Sequence, residues 1–278
     1  MPDLGPHLLG RIPSPPDERD YPARAFLSSD PLQKALAALV ASKSVPKVTK
    51  TWAKLVTEKI DPPSPVPPPG PTPPAPSDKV WSDPEQVLDQ GNYGTCVGNG
   101  TAQWCNTLPV DDKYTEGMGE PATTGGPYAR ALYYEATCID GQPDDPDAKN
   151  GGQQGATVRS GMQALKNRGR CSVYASITSV ADIKAWLQQK GPVVFGTDWT
   201  ADMFNPDKDG YIKPTGDVEG GHCWLGLGDL ESEDALEAVN SWGSGWGLAG
   251  YFKIKWADLE TLLNQQGEAW GALELPAS

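Results

Sequence analysis

Residues 61–78, DPPSPVPPPGPTPPAPSD, constrain the chain more than any other stretch. Proline fixes φ near −65° and offers no N–H, so a run this dense in it neither continues a helix nor enters a sheet interior. It favours polyproline II, about 3.1 Å per residue, and reads as a stiff spacer. The chain of 278 residues therefore divides into an arm and helical segment (1–60), the linker (61–78) and a body (79–278). A body of that size buries a sizeable core.

Ahead of the linker, Arg11-Ile12-Pro13 and Asp17-Glu18-Arg19-Asp20-Tyr21 read as an extended arm with no independent fold. Asp30 as N-cap and Pro31 at the first position then start a helix through LQKALAALVASKS. Pro46 breaks it, and Val48, Trp52, Leu55, Val56 and Ile60 resume the helical spacing. This amphipathic pair must bury its apolar face. On the body it would be a pro-region covering a cleft; on a neighbouring subunit or another protein, residues 30–60 would serve docking or assembly.

In the body, helical patterns come first. A helix is expected from Cys96 through VGNGTAQWCNT, although Gly98 and Gly100 make it poor by propensity, and others over Pro127–Thr137, Ala156–Arg168 and Val180–Gln189. Residues 140–150, acidic and without the spacing of a calcium loop, read as a solvated loop. Strand patterns follow in GPVVFGTDW, HCWLGLGDL, ALEAVNSW and GYFKIKW. Helices and then strands predict an α+β protein with a helical lobe and an antiparallel β-lobe.

The chemistry gathers at QVLDQGNYGTCVGNG, which sets Gln90 before a glycine-lined turn and a lone thiol, Cys96, at a helix start. Unpaired N–H groups at a helix N-terminus stabilise a thiolate, and a side-chain amide can donate to a developing oxyanion. By itself a cysteine is more often a small buried hydrophobe. Of the two histidines, His7 and His222, only His222 lies in the body, and Asn240 follows it. Nucleophile, base and orienting group are then all present. A strand at His222 would turn Cys223 to the opposite face.

Three segments together resemble the papain-like cysteine peptidases: Gln90 to Cys96, Gly221-His222-Cys223-Trp224-Leu225, and Asn240-Ser241-Trp242-Gly243. In that family the histidine and asparagine follow the cysteine by roughly 130–150 residues, close to the spacing here. The resemblance implies a two-lobe fold with Cys96 on the helical lobe and His222 on the β-lobe. It also implies a Cys96–His222–Asn240 mechanism on a polypeptide substrate with no cofactor. Gln90 and the Cys96 N–H would hold the oxyanion, Gly155 would lie against the substrate backbone, and Trp242 would line the site and shield the His222–Asn240 bond. Tyr93 and Val97 depart from the family's cysteine and aromatic at those positions, as in bacterial and phage-type members. Residues 11–21 resemble a short segment that some bacterial members carry before the catalytic domain. Two other functions use the same sequence features: an acyl-transfer or peptidoglycan-cleaving enzyme with the same trio, and an assembly protein, such as a virion component, that keeps the fold.

A net charge of −13 argues against nucleic acid and anionic membranes as partners. No apolar run is long enough for a membrane span. The first residues lack a basic start and apolar core, so no signal peptide is expected and the location would be cytoplasmic or virion-associated. The five cysteines are expected as thiols, Cys138 and Cys171 being the pair that could join; a single body histidine and no CxxC argue against a metal site.

Overall fold

The structure, a computed structural model, describes residues 8–17, 20–27, 77–81, 87–107, 109–110, 126–148 and 153–273. The helices expected within 30–60, nearly all of the linker and Asn150-Gly151-Gly152 lie outside the described residues.

Helices lead and strands follow, as the sequence pattern predicts. The helical lobe is built on α2 (Cys96–Cys105), α3 (Gly126–Ile139) and α4 (Val158–Asn167). Every residue of α2 is buried. Its glycines, unfavourable for an isolated helix, are explained by packing. A Cβ at Gly98 would overlap the Ala129 carbonyl on α3, and one at Gly100 would stand 2.8 Å from Cys223 Sγ. The close approach of backbones here substitutes for helix propensity.

The third helix begins later than its pattern implies. Ala156–Thr157 form a short strand, β4, and Thr157 is extended (φ −80°, ψ 146°), with its side chain capping the helix by accepting from the Ser160 N–H. Nor is the acidic loop before it merely solvated. Asp140 accepts from the Thr157 N–H at 2.9 Å, and buried Asp144 accepts from the Tyr133 hydroxyl at 2.6 Å and the Gln154 N–H at 2.5 Å.

The β-lobe is a sheet in the order β2 (Tyr21–Pro22), β5 (Val173–Ile177), β10 (Glu268–Leu273), β6 (Val193–Thr200), β7 (Val218–Leu230), β8 (Ala235–Val239), β9 (Tyr251–Lys255), with β3 (Lys79–Val80) also on β7. The helices α5 (Val180–Gln189) and α6 (Trp256–Gln265) complete it. Central strands β6 and β7 serve two cores at once. Val194, Cys223 and Leu225 face the helical lobe's core, whereas Val193, Phe195 and Trp224 face the β-lobe's core. Strands buried on both faces read as near-continuous apolar runs, which is how these two stood out in the sequence.

The arm has no core of its own and borrows the body's. β1 (Arg11–Ile12) pairs in parallel with β4, and β2 pairs in parallel with β5. In α1 (Arg24–Leu27), Phe26 is buried edge-on against Trp186, 6.3 Å between centroids. Arg159 donates to the Pro15 carbonyl at 2.6 Å and pairs with Asp20 at 3.4 Å. All five cysteines are thiols, and no helix among the described residues is long and apolar enough to cross a membrane.

Gly98→Ala should lower unfolding stability by about 1–3 kcal/mol through overpacking, against the roughly 1 kcal/mol that alanine gains over glycine in a helix. Denaturant titration beside Gly245→Ala, whose position is exposed with open space around it, checks this. The control should stay within about 0.5 kcal/mol of the parent.

Candidate active site

Two loops distant in sequence are fastened to each other at the cleft. The Gln90 N–H donates to the Ser241 carbonyl at 2.8 Å, and the Gly243 N–H donates to the Leu88 carbonyl at 3.0 Å. Ser241 Oγ donates to Gln90 Oε1 at 2.6 Å. The oxygen end of the amide is thereby fixed, and Gln90 Nε2 donates to the carbonyls of Tyr93 and Leu8, both at 2.8 Å.

From Gln90 the chain turns and enters α2 at Cys96, whose side chain is fully buried. The N–H groups of Cys223, Gly10 and Val97 face its sulfur. Cys223 follows His222 on β7, so the strand that carries the base candidate meets the nucleophile candidate through the Cys223 backbone. Cys223 itself points to the helical side, beside Gly100, as strand alternation predicts.

His222 Nε2 lies 2.7 Å from Asn240 Oδ1, and that oxygen also accepts from the Ser241 N–H at 2.8 Å. An atom that accepts from a backbone N–H is the amide oxygen, so His222 Nε2 is the donor and Nδ1 is left as the basic nitrogen. Aromatic rings enclose this bond. Trp242 lies 4.7 Å from the imidazole centroid and Trp199 lies 4.8 Å from it edge-on; Phe204 stacks on Trp242 at 5.4 Å.

The arm runs through the cleft. Gly10 places its N–H at Cys96 Sγ, and its carbonyl accepts from the Ala156 N–H at 2.9 Å. Gly155 has φ +95°, and a Cβ there would run into the Gly10 carbonyl. The Arg11 carbonyl lies equally close against Gly221. The Arg11 side chain is 1% exposed and donates to Glu268 Oε1 from Nε at 3.1 Å and Nη2 at 3.0 Å, with Nη2 also donating to the Gln266 carbonyl.

Of the residues singled out in the sequence, Gln90, Cys96 and Gly155 meet the arm at Leu8 and Gly10, and His222, Asn240 and Trp242 cluster with one another on the β-lobe. Sequence reasoning missed Ser241, Trp199, Phe204, Glu268 and the course of Leu8–Arg11. Ser241 lies inside the Asn-Ser-Trp-Gly segment, so its signal was available. Glu268 had none.

Burial pushes the Cys96 thiol up to about 11, outweighing the Cys223, Gly10 and Val97 N–H groups and the Arg11 charge, which pull it down. The sequence reading expected a depressed thiol. The difference comes from the complete burial of the sulfur, which removes water from it.

The family model for papain family cysteine proteases matches residues 118–266, a span containing His222 and Asn240 and starting beyond Cys96. An uncharacterized peptidase C1-like protein of Acanthamoeba polyphaga mimivirus is 24% identical over 60% of this chain and 63% of its own length. A gut-specific cysteine proteinase of Caenorhabditis elegans is 28% identical over 61% of this chain and 53% of its own. The chain thus spans less than two thirds of either relative. Xylellain, a cysteine protease from Xylella fastidiosa, has a similar fold, with a TM-score of 0.61, 18% identity and 96% of each chain covered.

With a raised thiol, only the rare thiolate reacts at neutral pH. Iodoacetamide labelling of Cys96 in the intact chain, followed by peptide mass mapping, should rise about tenfold per pH unit between roughly pH 7 and 10. Fast labelling that is flat from about pH 6 would contradict a buried, protonated Cys96.

Proposed function

The chain belongs to the papain family of cysteine proteases, and from that premise we propose that it is a cysteine peptidase working through Cys96, His222 and Asn240, held closed by its own N-terminal arm. The observation that carries this reading is the convergence of Gln90 Nε2 and Cys96 Sγ on one short stretch, Leu8–Gly10, beside Gly220 and Gly221, which lead into His222 and its bond to Asn240. A peptide lying there meets a nucleophile, a base and an oxyanion donor together.

Once the arm leaves, water and an incoming peptide reach the sulfur. His222 Nδ1 takes the Cys96 proton, and the imidazolium and the α2 N-terminus stabilise the thiolate. The sulfur attacks the carbonyl carbon, and the oxyanion is held by Gln90 Nε2 and the Cys96 N–H. The C–N bond breaks as His222 returns the proton to the departing amine. Water, deprotonated by His222, then hydrolyses the thioester. Asn240 accepts from Nε2–H throughout and keeps the ring in place, while Trp242, Trp199 and Phe204 keep water from that bond.

The arm is an occupant and not a substrate in place. It runs parallel to β4, and Leu8 presents its carbonyl to Gln90 while Gly10 presents an N–H to the sulfur. The carbonyl at Gln90 and the N–H at the sulfur thus belong to two different peptide bonds, Leu8–Leu9 and Leu9–Gly10.

Arg11→Ala removes the arm's buried ion pair, a loss of about 3–5 kcal/mol for the bound arm. Cys96 should then label rapidly at about pH 5–6 and the chain should cleave unfolded casein. Adding Cys96→Ala or His222→Ala should cut turnover by at least about a thousandfold, and Gln90→Ala by about a hundredfold. Slow labelling and no cleavage by a folded Arg11→Ala chain would sink the mechanism.

A further inference from the structure

We infer that Tyr133 and Asp144 are positioning residues for peptide binding: from the α3 side they take up the Gln154 and Gly155 N–H groups, which leaves the Ala156 N–H as the donor offered to a peptide backbone. This rests on the peptidase reading above.

The segment Gln154–Thr157 carries four N–H groups, and their partners divide by side. The Gln154 N–H donates to Asp144 Oδ2 at 2.5 Å, the Gly155 N–H to the Tyr133 hydroxyl oxygen at 3.1 Å, and the Thr157 N–H to Asp140 Oδ2 at 2.9 Å. The fourth, on Ala156, turns to the arm and meets the Gly10 carbonyl at 2.9 Å.

Tyr133 is fully buried, and its hydroxyl joins the first two acceptors: it donates to Asp144 Oδ2 at 2.6 Å while accepting from Gly155. Burial, and after it the Asp144 bond, hold that hydroxyl well above the usual phenol range, so it stays a neutral donor. Asp144 is buried as well, and its own N–H donates to the Thr137 hydroxyl at 3.1 Å, which fixes the acid to the last turn of α3. The same loop sets where β4 stands relative to the nucleophile. Gln153 Oε1 accepts from the Gly94 N–H at 3.2 Å, two residues before Cys96, and Gln153 Nε2 donates to the Ala148 carbonyl at 2.8 Å.

Backbone that receives a peptide on one side has to be held from the other, by acceptors that do not move. Gly155 needs this most, since glycine ranges over both signs of φ and here sits at +95°. Loss of the Tyr133 hydroxyl strips the Gly155 N–H of its acceptor and Asp144 of a donor, and the Ala156 N–H next to them loses its alignment. The change removes no group of the Cys96–His222–Asn240 trio. It weakens the hold on a peptide backbone in ground state and transition state alike, which raises KM and spares kcat.

The test uses the full chain carrying Arg11→Ala, with a peptide cut from unfolded casein as substrate. Adding Tyr133→Phe should raise KM about tenfold and leave kcat within about twofold of the parent. Asp144→Ala should do the same, whereas Asp144→Asn, which keeps an oxygen acceptor, should bring KM back to within about threefold. Leu259→Ala, in the buried β-lobe core on α6, loosens the fold elsewhere and should leave both constants within about twofold. An unchanged KM in a folded Tyr133→Phe chain, or a fall in kcat as large as the rise in KM, overturns the positioning role and leaves the peptidase standing. If the Arg11→Ala chain cuts nothing, the peptidase reading fails separately and the role is judged by binding. There the end-blocked peptide Leu-Leu-Gly-Arg-Ile, a copy of residues 8–12, should bind the folded Arg11→Ala chain at least about tenfold more tightly than it binds the same chain with Tyr133→Phe. Equal binding to the two chains overturns it.

Discussion

The whole cleft depends on the backbone clasp between Leu88–Gln90 and Ser241–Gly243. It joins the loop leading to Cys96 to the loop carrying Asn240, the partner of His222, through the Gln90 and Gly243 N–H groups and the Ser241 hydroxyl. Backbone bonds between segments this far apart do not vary with side-chain rotamers, so they set distances that long flexible side chains alone could not hold. One residue, Ser241, does two jobs within it. Its N–H fixes the Asn240 amide and its hydroxyl fixes the Gln90 amide, so the two amides, which present an oxygen to His222 and a nitrogen to the Leu8 and Tyr93 carbonyls, are oriented together.

Around this clasp the aromatic residues do more than fill space. Trp199, Trp242, Trp246, Phe204 and Phe252 pack edge-to-face or stacked against one another. Aromatic pairs of this kind contribute about 0.5–1.5 kcal/mol beyond their area, and here they also wall off His222. The low dielectric they create strengthens the His222–Asn240 bond, while the backbone amides nearby remain paired.

Much of this was legible in the sequence, and the legible parts share a cause. Helices α3 and α5 and strands β6, β7, β8 and β9 carry their own periodicity, and the catalytic candidates lie in short local patterns around Cys96, His222 and Asn240. What was not legible depends on long-range placement. β1, β2 and β4 are two residues long and exist only because a distant segment lies beside them. Thr157 reads as helix by neighbourhood but is pulled into an extended cap by Asp140 and the arm. Glu268 is an unremarkable acid in the sequence, and its meaning appears only when Arg11, 257 residues away, is folded onto it. The low thiol pKa expected of a helix N-terminus was sound physics for an open site, and where the sequence raised a covering segment it placed it in residues 30–60, not in Leu8–Arg11.

The arm is tied to the body by covalent continuity and by the burial of Ala23 and Phe26 just beyond the cleft segment. Its grip on the cleft is thus intramolecular, with an effective concentration on the order of millimolar. Dilution cannot loosen it, and a free peptide competes with it only at comparable concentration or with a tighter fit. Severing the chain between Ile12 and Asp20 changes that relation at once: the cleft segment becomes an ordinary short ligand whose occupancy falls with its own concentration, and a self-limiting equilibrium becomes a one-way switch.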